Sequence, residues 1–320
     1  MRPSRFLIVG GAGFIGSHVV ERLLADSDPT RRIVVYDNLA SGSRSRLPAL
    51  GVDERLELVA ADVAELAKLI EAARDAEICF HFAANPDIAA AVNDPAIDFR
   101  EGTQLTQNVL EALRSAGVPR LVYASGSGVY GDLGELEVDE DHGPMHPIST
   151  YGASKLGCEA LISAYCHMFG LAASAFRFAN VVGPRQTHGV TYDFVRRLLR
   201  DPGVLDVLGD GGQSKSYIHV EDVVDAMMLI SRQGEHGFEV FNVGTDEYIT
   251  VREIAELVLR ILNLADTEVR YGAASRGWKG DVPVVRFSSA RIRARGWTNQ
   301  HSTEQALRAS VDHLLSESRA

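Results

Sequence analysis

Cysteine is scarce in this sequence, and the spacings that would give it a metal-binding or redox role are missing. The 320 residues include three cysteines, Cys79, Cys158 and Cys166, and no two of them form a C-x-x-C pair. An odd number of cysteines without that spacing predicts buried, reduced thiols rather than disulfides. The ten histidines also lack the spacing of metal ligands, so we predict no metal.

Long apolar runs and an excess of positive charge are missing as well. No run of apolar residues reaches the ~18 residues that suggest a membrane span, so we expect no membrane association. The segment Met1–Arg5 carries no apolar stretch before the first strand, so no signal peptide is predicted and the cytoplasm is the expected location. The 32 Lys and Arg residues against 43 Asp and Glu residues give a net charge of −11, which argues against nucleic-acid binding.

Short apolar runs alternate with stretches of helical periodicity in the first 180 residues. The runs predict buried parallel strands at residues 6–9, 33–36, 56–60, 78–82, 121–124 and 173–178. The helical stretches include residues 17–24, 106–116 and 153–169. Strands that alternate with helices in this way predict an α/β fold with a doubly wound parallel sheet of the Rossmann type.

A glycine-rich turn, G-G-A-G-F-I-G, follows the first predicted strand. Gly10 permits a tight turn, Gly13 lets the backbone approach a diphosphate, and Gly16 lets the next helix pack on the strand. The diphosphate would lie at the N-terminus of that helix, where backbone N–H groups favour an anion. The spacing therefore predicts a dinucleotide-binding turn, a local device that an acidic protein needs to bind an anionic cofactor.

Asp37 stands 21 residues after Gly16, at the end of the second predicted strand. A carboxylate at this position accepts a hydrogen bond from the 2′-hydroxyl of the cofactor's ribose. It would repel a 2′-phosphate, so the pattern favours NAD over NADP. Arg44 and Arg46 lie just beyond and leave NADP open as the alternative.

Tyr151 and Lys155 lie four residues apart in S-T-Y-G-A-S-K, on one face of a predicted helix. A free phenol titrates at a pKa of about 10. A neighbouring ammonium, together with the positive nicotinamide ring of NAD, would favour the phenolate. Downstream of a dinucleotide-binding turn, the pair predicts a catalytic base near neutral pH.

With these motifs in place, the sequence resembles the extended short-chain dehydrogenases/reductases of the NAD-dependent nucleotide-sugar epimerase/dehydratase family, with UDP-glucose 4-epimerase-like motifs. Besides the glycine turn and the Tyr/Lys pair, the matching motifs are D-N-L at 37–39, H-F-A-A at 81–84, V-Y-G at 129–131, R-F-A-N-V-V-G-P-R at 177–185, G-D-G-x-Q at 209–213 and V-E-D-V at 220–223. The resemblance covers nearly the whole chain. It is specific for the fold and the cofactor and less specific for the sugar.

The resemblance implies roles for further residues. Those expected to contact NAD, besides the residues named above, are Phe14, Ile15, Asn38, Ser41, Gly42, Asp62, Val63, Phe82, Ala83, Ala84 and Phe178. Those expected to contact the substrate are Pro86, Asn180, Val190, Tyr192, Lys215, Arg276 and Asp281.

The strand–helix rhythm changes after residue 180. This change predicts an NAD-binding Rossmann domain at residues 1–180, with residues 216–243 returning to it, and a substrate-binding lobe at residues 181–320. The resemblance also implies a homodimer formed through the helices at 106–116 and 153–169. The apolar positions Leu161, Ile162 and Tyr165 are more than one sheet face needs and support that expectation.

Two departures from the family pattern bear on the chemistry. The family has Ser or Thr at the position of Gly126, where the hydroxyl contacts the sugar O4, and either Ser125 or Ser127 would have to supply the missing hydroxyl. The family asparagine near the nicotinamide is replaced by Gly102. Either the pocket is enlarged for an unusual substrate, or Thr103 and water substitute for that asparagine.

The residues after Gly126 indicate the type of reaction. Hexose 4,6-dehydratases of the family carry Asp-Glu there, because removal of water needs an acid and a base, and this chain has Ser127 and Gly128. The resemblance therefore implies 4-epimerisation of a UDP-sugar, first of all UDP-glucose/UDP-galactose, by an isomerase that consumes no NAD. The alternatives are a 4-epimerase of UDP-glucuronate or a UDP-N-acetylhexosamine, a dehydratase or ketoreductase of the same family, and a non-catalytic nucleotide-sugar sensor.

Overall fold

A computed structural model of the chain describes residues 4–48, 50–233 and 237–319. The strands are β1 Arg5–Val9, β2 Arg32–Asp37, β3 Leu56–Ala60, β4 Ile78–His81, β5 Arg120–Gly126, β6 Ala172–Phe178, β7 Asn180–Val182, β8 Val204–Val207, β9 Ser214–Lys215, β10 Tyr217–His219, β11 Phe238–Val243, β12 Ile249–Thr250 and β13 Glu268–Tyr271. The α-helices are α1 Phe14–Leu24, α2 Leu66–Ala72, α3 Leu105–Ala116, α4 Thr150–Phe169, α5 Val190–Arg200, α6 Val220–Ser231, α7 Val251–Leu262, α8 Ala290–Ala294 and α9 Thr303–Arg319.

Seven strands form the main sheet, in the order β11-β6-β5-β4-β1-β2-β3. The pairs β1–β2, β2–β3, β1–β4 and β4–β5 are parallel. The strand order reverses between β1 and β4, and doubly wound sheets bind ligands outside the carboxyl ends of the strands at such a point. The predicted Rossmann-type α/β fold is therefore confirmed.

The described residues divide into two compact units. Unit 1 contains the described residues up to 126, together with 150–177 and 224–241, and unit 2 contains 127–149, 178–223 and the described residues from 242 onward. Residues 127–149 thus group with unit 2, whereas the sequence analysis assigned them to the first domain. The functional division into an NAD-binding domain and a substrate-binding lobe stays a prediction.

Unit 1 is built around strands that are buried on both faces. Leu7, Cys79 and Leu121 from three neighbouring strands are fully buried in one cluster with Leu110 of α3 and Ile162 of α4. Parallel strands that helices cover on both sides are typically continuous apolar runs. Such runs in the sequence therefore predicted these strands. The three cysteines are free and buried, as predicted.

The apolar residues that suggested a dimer face lie in or against this core. Ile162 is fully buried, Tyr165 is 9% exposed, and Leu161 packs against the same cluster. Core packing therefore accounts for all three. The homodimer stays a prediction, and the exposed apolar side chains near the end of α4 are Met168 and Phe169.

Unit 2 has its own apolar core, formed by α5, α7 and α9. Phe194, Ile254 and Leu307, one from each helix, are buried together. Helix α7 begins with a capping box, in which Glu253 N donates to Thr250 Oγ1 at 3.2 Å and Thr250 N donates to Glu253 Oε2 at 2.7 Å. No helix within the described ranges combines the length and the apolar character needed to cross a membrane.

Candidate active site

The glycine turn between β1 and α1 leaves no room for a side chain at Gly10 or Gly16. Gly10 has a φ of +79°, and a Cβ there would lie 2.6 Å from the backbone nitrogen of Ala83. A Cβ on Gly16 would lie 2.4 Å from the carbonyl oxygen of Gly10. Both distances are well below normal contact, so the turn brings the backbones of β1, α1 and the segment after β4 together. Such a cradle suits a diphosphate.

The N-terminus of α1 suits an anion. Gly13 is the N-cap and makes no side-chain cap hydrogen bond, and the first turn contains no acidic residue. The backbone N–H groups of Phe14 and Ile15 belong to this first turn, at the positive end of the helix dipole. The residues present therefore fit the diphosphate of NAD, which supplies a hydride acceptor when it is bound.

Asp37 is buried at the end of β2 and is held by two backbone N–H groups. Ala12 N donates to its Oδ2 at 2.9 Å, and Leu39 N donates to its Oδ1 at 2.8 Å. An ionised carboxylate has about four acceptor positions, so two remain for ribose hydroxyls. Gly42 packs against it, since a Cβ there would lie 2.8 Å from Asp37 Oδ1. Ser41, the preceding residue, is exposed.

Asn38 and Asp62 meet at the carboxyl ends of β2 and β3. Asn38 Nδ2 donates to Asp62 Oδ2 at 2.8 Å, and the Tyr36 hydroxyl donates to the Asp62 carbonyl at 2.9 Å. Val63 follows and is buried. The structure thus brings together, at one edge of the sheet, three residues that were predicted to contact NAD: Asn38, Asp62 and Val63.

The segment after β4 runs against the glycine turn. Phe82 N and Ala83 N both donate to the carbonyl of Val9, at 2.8 and 3.2 Å. Ala84 follows and is half-buried. Phe178, at the end of β6, is buried.

Helix α4 places Tyr151 and Lys155 near the end of β5. Lys155 is buried, and its Nζ donates to the carbonyl of Ala124 at 2.7 Å. The same Nζ lies 5.6 Å from the centre of the Tyr151 ring and 4.9 Å from the centre of the Tyr123 ring. The phenol and the ammonium therefore lie close together, as their spacing in the sequence indicated.

The surroundings of Tyr151 favour the neutral phenol. Burial raises the pKa of Tyr151 to about 12, and Asp98 and Cys158 act in the same direction. Burial also lowers the pKa of Lys155. The ammonium does not offset these effects by itself, so the expected phenolate depends on the positive nicotinamide ring of NAD.

The Ser125 hydroxyl is bound to a buried ion pair. Its Oγ donates to Glu159 Oε1 at 2.6 Å, and Arg177 donates to the same carboxylate through Nε at 3.1 Å and Nη2 at 2.7 Å. All three side chains are buried. This geometry does not support Ser125 as the hydroxyl that contacts the sugar.

Gly126 lies beside the phenol. A Cβ at this position would lie 3.8 Å from the Tyr151 hydroxyl oxygen and 3.9 Å from its Cε1, which is ordinary contact. The family hydroxyl would therefore fit at this position in unit 1. Ser127 begins a 3₁₀ turn over residues 127–130 and is half-buried in unit 2.

Gly102 is surrounded by a hydroxyl network that the sequence did not reveal. It lies in a π-helical turn, Phe99–Gln104, and a Cβ there would lie 2.3 Å from Ser154 Oγ. That Oγ donates to the carbonyl of Asp98 at 2.7 Å and lies 2.9 Å from Thr103 Oγ1. The space that a Cβ at position 102 would need is thus taken by the Ser154 hydroxyl.

Three of the predicted substrate residues cluster in unit 2. Lys215 Nζ donates to Asp281 Oδ1 at 2.6 Å, and Arg276 Nη1 donates to the Asp281 carbonyl at 2.8 Å. Arg276 Nη2 donates to Asp132 Oδ2 at 2.6 Å. Asp132 was not identified from the sequence, because its partner is 144 residues away. Each cation of this cluster is thus paired with a carboxylate, Lys215 with Asp281 and Arg276 with Asp132, which fixes the position of its charged group.

The other predicted substrate residues are distributed over both units. In unit 2, Asn180 begins β7 with an exposed side chain, and Val190 and Tyr192 lie in the first turn of α5, where both are half-buried. In unit 1, Pro86 is exposed in the segment after β4.

Known proteins resemble this chain in sequence and in fold. The NAD dependent epimerase/dehydratase family matches residues 6–244. A UDP-glucose 4-epimerase of Mycolicibacterium smegmatis is 32% identical over 322 residues, which cover 98% of this chain and 99% of that protein.

Two solved structures share the fold over nearly their full lengths. The UDP-glucose 4-epimerase of Thermotoga maritima with UDP-glucose has a TM-score of 0.88 and 30% identity, covering 98% of this chain and 99% of that one. The dTDP-glucose 4,6-dehydratase DesIV of Streptomyces venezuelae with NAD bound has a TM-score of 0.90 and 30% identity, covering 98% of this chain and 97% of that one.

These similarities confirm the predicted family, the enzyme class and the cofactor. The glycine turn, the carboxylate at the end of β2 and the Tyr151–Lys155 pair lie within the part of the chain that the family matches. The chain belongs to the NAD-dependent epimerase/dehydratase family, and its cofactor is NAD.

Proposed function

We propose that this enzyme interconverts the C4 epimers of a UDP-sugar, with UDP-glucose/UDP-galactose as the first pair to test. The observation that carries the proposal is the Tyr151–Lys155 pair at the end of β5. A UDP-glucose 4-epimerase of Mycolicibacterium smegmatis resembles this chain in sequence, and the UDP-glucose 4-epimerase of Thermotoga maritima resembles it in fold. The dinucleotide cradle beside Gly10 supports the same proposal.

The chemistry assigned to the chain's own residues is proton transfer at O4. Tyr151 accepts the proton of the C4 hydroxyl while C4 loses hydride, which gives a 4-keto sugar. The ketone then receives hydride on its opposite face, and Tyr151 returns the proton to O4. Bound NAD would supply the hydride acceptor and donor for this exchange, and no cofactor would be consumed overall. Lys155 supports the phenolate by its charge.

Recognition of the substrate's diphosphate is assigned to unit 2. Lys215 and Arg276 are the cations of the cluster around Asp281. In the family pattern an arginine stands at the position of Lys215, and lysine keeps the charge but lacks the bidentate fork of a guanidinium. Asn180 would add a hydrogen bond to the diphosphate.

A 4,6-dehydratase is the second candidate, because the DesIV structure is a dTDP-glucose 4,6-dehydratase with a TM-score of 0.90. Elimination of water across C5 and C6 needs a further acid and base. In the resembling dehydratases these are Asp and Glu, and Ser127 and Gly128 occupy their places here. A serine hydroxyl does not replace the acid, and glycine has no side chain to act as the base, so epimerisation is favoured.

Proton NMR of the products distinguishes the candidates. The NAD-loaded protein is incubated separately with UDP-galactose, UDP-glucose, UDP-glucuronate, UDP-N-acetylglucosamine and dTDP-glucose, with the Tyr151→Phe variant as control. Epimerisation gives a mixture of the two C4 epimers, whereas dehydration gives a 4-keto-6-deoxy sugar. A wild-type protein that binds NAD and UDP-sugars but converts none of them would support the non-catalytic sensor and contradict the proposal.

A further inference from the structure

Asp98 is a buried carboxylate that the proposed chemistry does not use. It is 2% exposed and precedes the π-helical turn at the start of α3. Its Oδ1 accepts from Asn85 Nδ2 at 3.0 Å, and its Oδ2 accepts from Thr150 Oγ1 at 2.7 Å. Both donors are neutral. Burying a carboxylate whose hydrogen-bond donors are both neutral costs free energy. This cost favours a functional reason for the presence of Asp98.

The contacts of Asp98 lie next in sequence to Tyr151 and Lys155 of α4. Thr150, which binds its carboxylate, immediately precedes Tyr151. Ser154, which donates to its backbone carbonyl at 2.7 Å, immediately precedes Lys155. Asp98 is therefore hydrogen-bonded to the N-terminal end of α4 at two points.

The third contact of Asp98 leads to the cofactor side of unit 1. Asn85 is buried and follows Ala83 and Ala84, the residues beside the glycine turn. Asn85 Nδ2 also donates to the carbonyl of Asp87 at 2.8 Å, which fixes the shape of this segment. One carboxylate thus connects the segment after β4 to the start of α4.

We propose that Asp98 is a positioning residue for Tyr151: it ties the Asn85 segment to the first turn of α4 and holds a negative charge beside the phenol. The proposal rests on the proposed function, in which Tyr151 is the base. A base that must become a phenolate next to a carboxylate needs a compensating positive charge. Deprotonation of Tyr151 is thereby linked to the oxidised, positively charged form of NAD.

The titratable groups around Tyr151 come from three elements. They are Asp98 from the segment before α3, Tyr123 from β5, and Lys155 and Cys158 from α4 itself. The charge of Asp98 raises the pKa of Tyr151, in addition to the effect of burial. Removal of that charge should lower the pKa of Tyr151. Because the base must be deprotonated to act, the acidic limb of the rate profile should then move to lower pH.

The substitution Asp98→Asn removes the negative charge and keeps both hydrogen bonds of the side chain. The amide oxygen still accepts from Asn85, and the amide nitrogen donates to the Thr150 hydroxyl, which accepts as readily as it donates. We expect the acidic limb of the kcat–pH profile to fall by about one pH unit. The matched control is Asp94→Asn, because Asp94 is an exposed carboxylate paired with Arg100 at 2.5 Å and should leave the profile unchanged.

The substitution Thr150→Val removes the hydrogen bond from Thr150 to Asp98 and keeps the negative charge of Asp98. It should lower kcat by about 10-fold, the effect of one lost hydrogen bond to a charged group, without moving the acidic limb. It should also move the NMR resonance of the Tyr151 ring. Thr150→Ser should restore both. This pair decides the positioning role if Asp98→Asn does not fold.

A titration that needs no turnover separates this proposal from the proposed function. The NAD-loaded protein is labelled with ¹³C at the tyrosine ζ-carbon, and the Tyr151 signal is assigned by its loss in Tyr151→Phe. A lower titration point in Asp98→Asn supports the role of Asp98 even if no UDP-sugar is epimerised. An unchanged titration point in a folded Asp98→Asn protein, or full kcat and an unmoved resonance in Thr150→Val, would overturn it.

Discussion

Gly126 lies beside the Tyr151 phenol, since a Cβ at position 126 would be 3.8 Å from the phenol oxygen. The position from which the family hydroxyl would reach the sugar O4 is thus beside the proposed base, and it carries no side chain. Ser125, one residue earlier, binds Glu159 instead. Of the two serines considered from the sequence, Ser127 therefore remains as the candidate for the O4 contact.

Ser127→Ala should reduce kcat by about 10- to 100-fold, because a lost charge-assisted hydrogen bond costs about 1.5–3 kcal/mol and one made in the transition state appears in kcat. Ser125→Ala should affect kcat less and should mainly lower the free energy of unfolding, since it leaves Glu159 with one donor fewer. Steady-state kinetics and urea unfolding of both variants test this. Equal, small kcat effects would mean that neither hydroxyl contacts O4.

Gly126→Ser should restore activity to the Ser127→Ala variant. The added Cβ meets only ordinary contacts with Tyr151, so the new hydroxyl is accommodated beside the phenol. The control is Gly102→Ser, whose Cβ would lie 2.3 Å from Ser154 Oγ and should destabilise the protein by about 1–3 kcal/mol. Failure of Gly126→Ser to raise kcat in the Ser127→Ala background would show that position 126 does not reach the sugar.

Tyr151→Phe should abolish most turnover while leaving NAD in place. The change removes one hydroxyl oxygen from the predicted base, and loss of general acid–base catalysis lowers rates by about 10²–10⁴-fold. Turnover is measured with UDP-galactose, and bound NAD is measured after denaturation of the same sample. Activity within a few-fold of wild type would place the base at another residue.

Glu159→Ala should destabilise the protein strongly. The substitution removes the carboxylate from a buried ion pair with the Arg177 guanidinium, and breaking such a pair costs about 3–5 kcal/mol. The exposed pair of Arg270 and Glu268, also 2.7 Å apart, provides the control, and Glu268→Ala should lower the free energy of unfolding far less than Glu159→Ala does. Denaturant unfolding measures both, and similar losses for the two variants would contradict the account of the buried pair.

The protein should be a homodimer in solution. The resemblance implies pairing through α3 and α4, and exposed Met168 and Phe169 lie at the end of α4. Light scattering at micromolar concentration should give twice the 34.7 kDa mass of one chain. A Phe169→Glu variant should shift the mass toward the monomer, and a wild-type mass of one chain would reject the dimer.

The sequence predicted the elements of unit 1 well, because the parallel strands of its sheet are continuous apolar runs. Gly117 and Gly170, both at a φ of +73°, directly follow the last residues of α3 and α4. Helix α5 was not predicted, although Val190, Phe194 and Leu198 recur at helical spacing. Local patterns do not encode strand order, so the complete order of the seven strands emerged only from the structure.

The candidate site was predictable where motifs are local and unpredictable where partners are distant. The glycine turn and the Tyr151–Lys155 pair have fixed local spacing. Asp98 is 52 residues from Thr150 and gave no sequence pattern of its own. The raised pKa of Tyr151 depends on burial, which no spacing rule provides.

The most direct test of the central claim is the fate of hydrogen at C4. UDP-galactose carrying deuterium at C4 is incubated with the NAD-loaded protein in ordinary water, and the UDP-glucose formed is examined by NMR and mass spectrometry. The account predicts UDP-glucose that retains deuterium at C4, with no net formation of NADH, because the same hydride leaves and returns. Loss of deuterium to solvent, or no UDP-glucose at all, would contradict it.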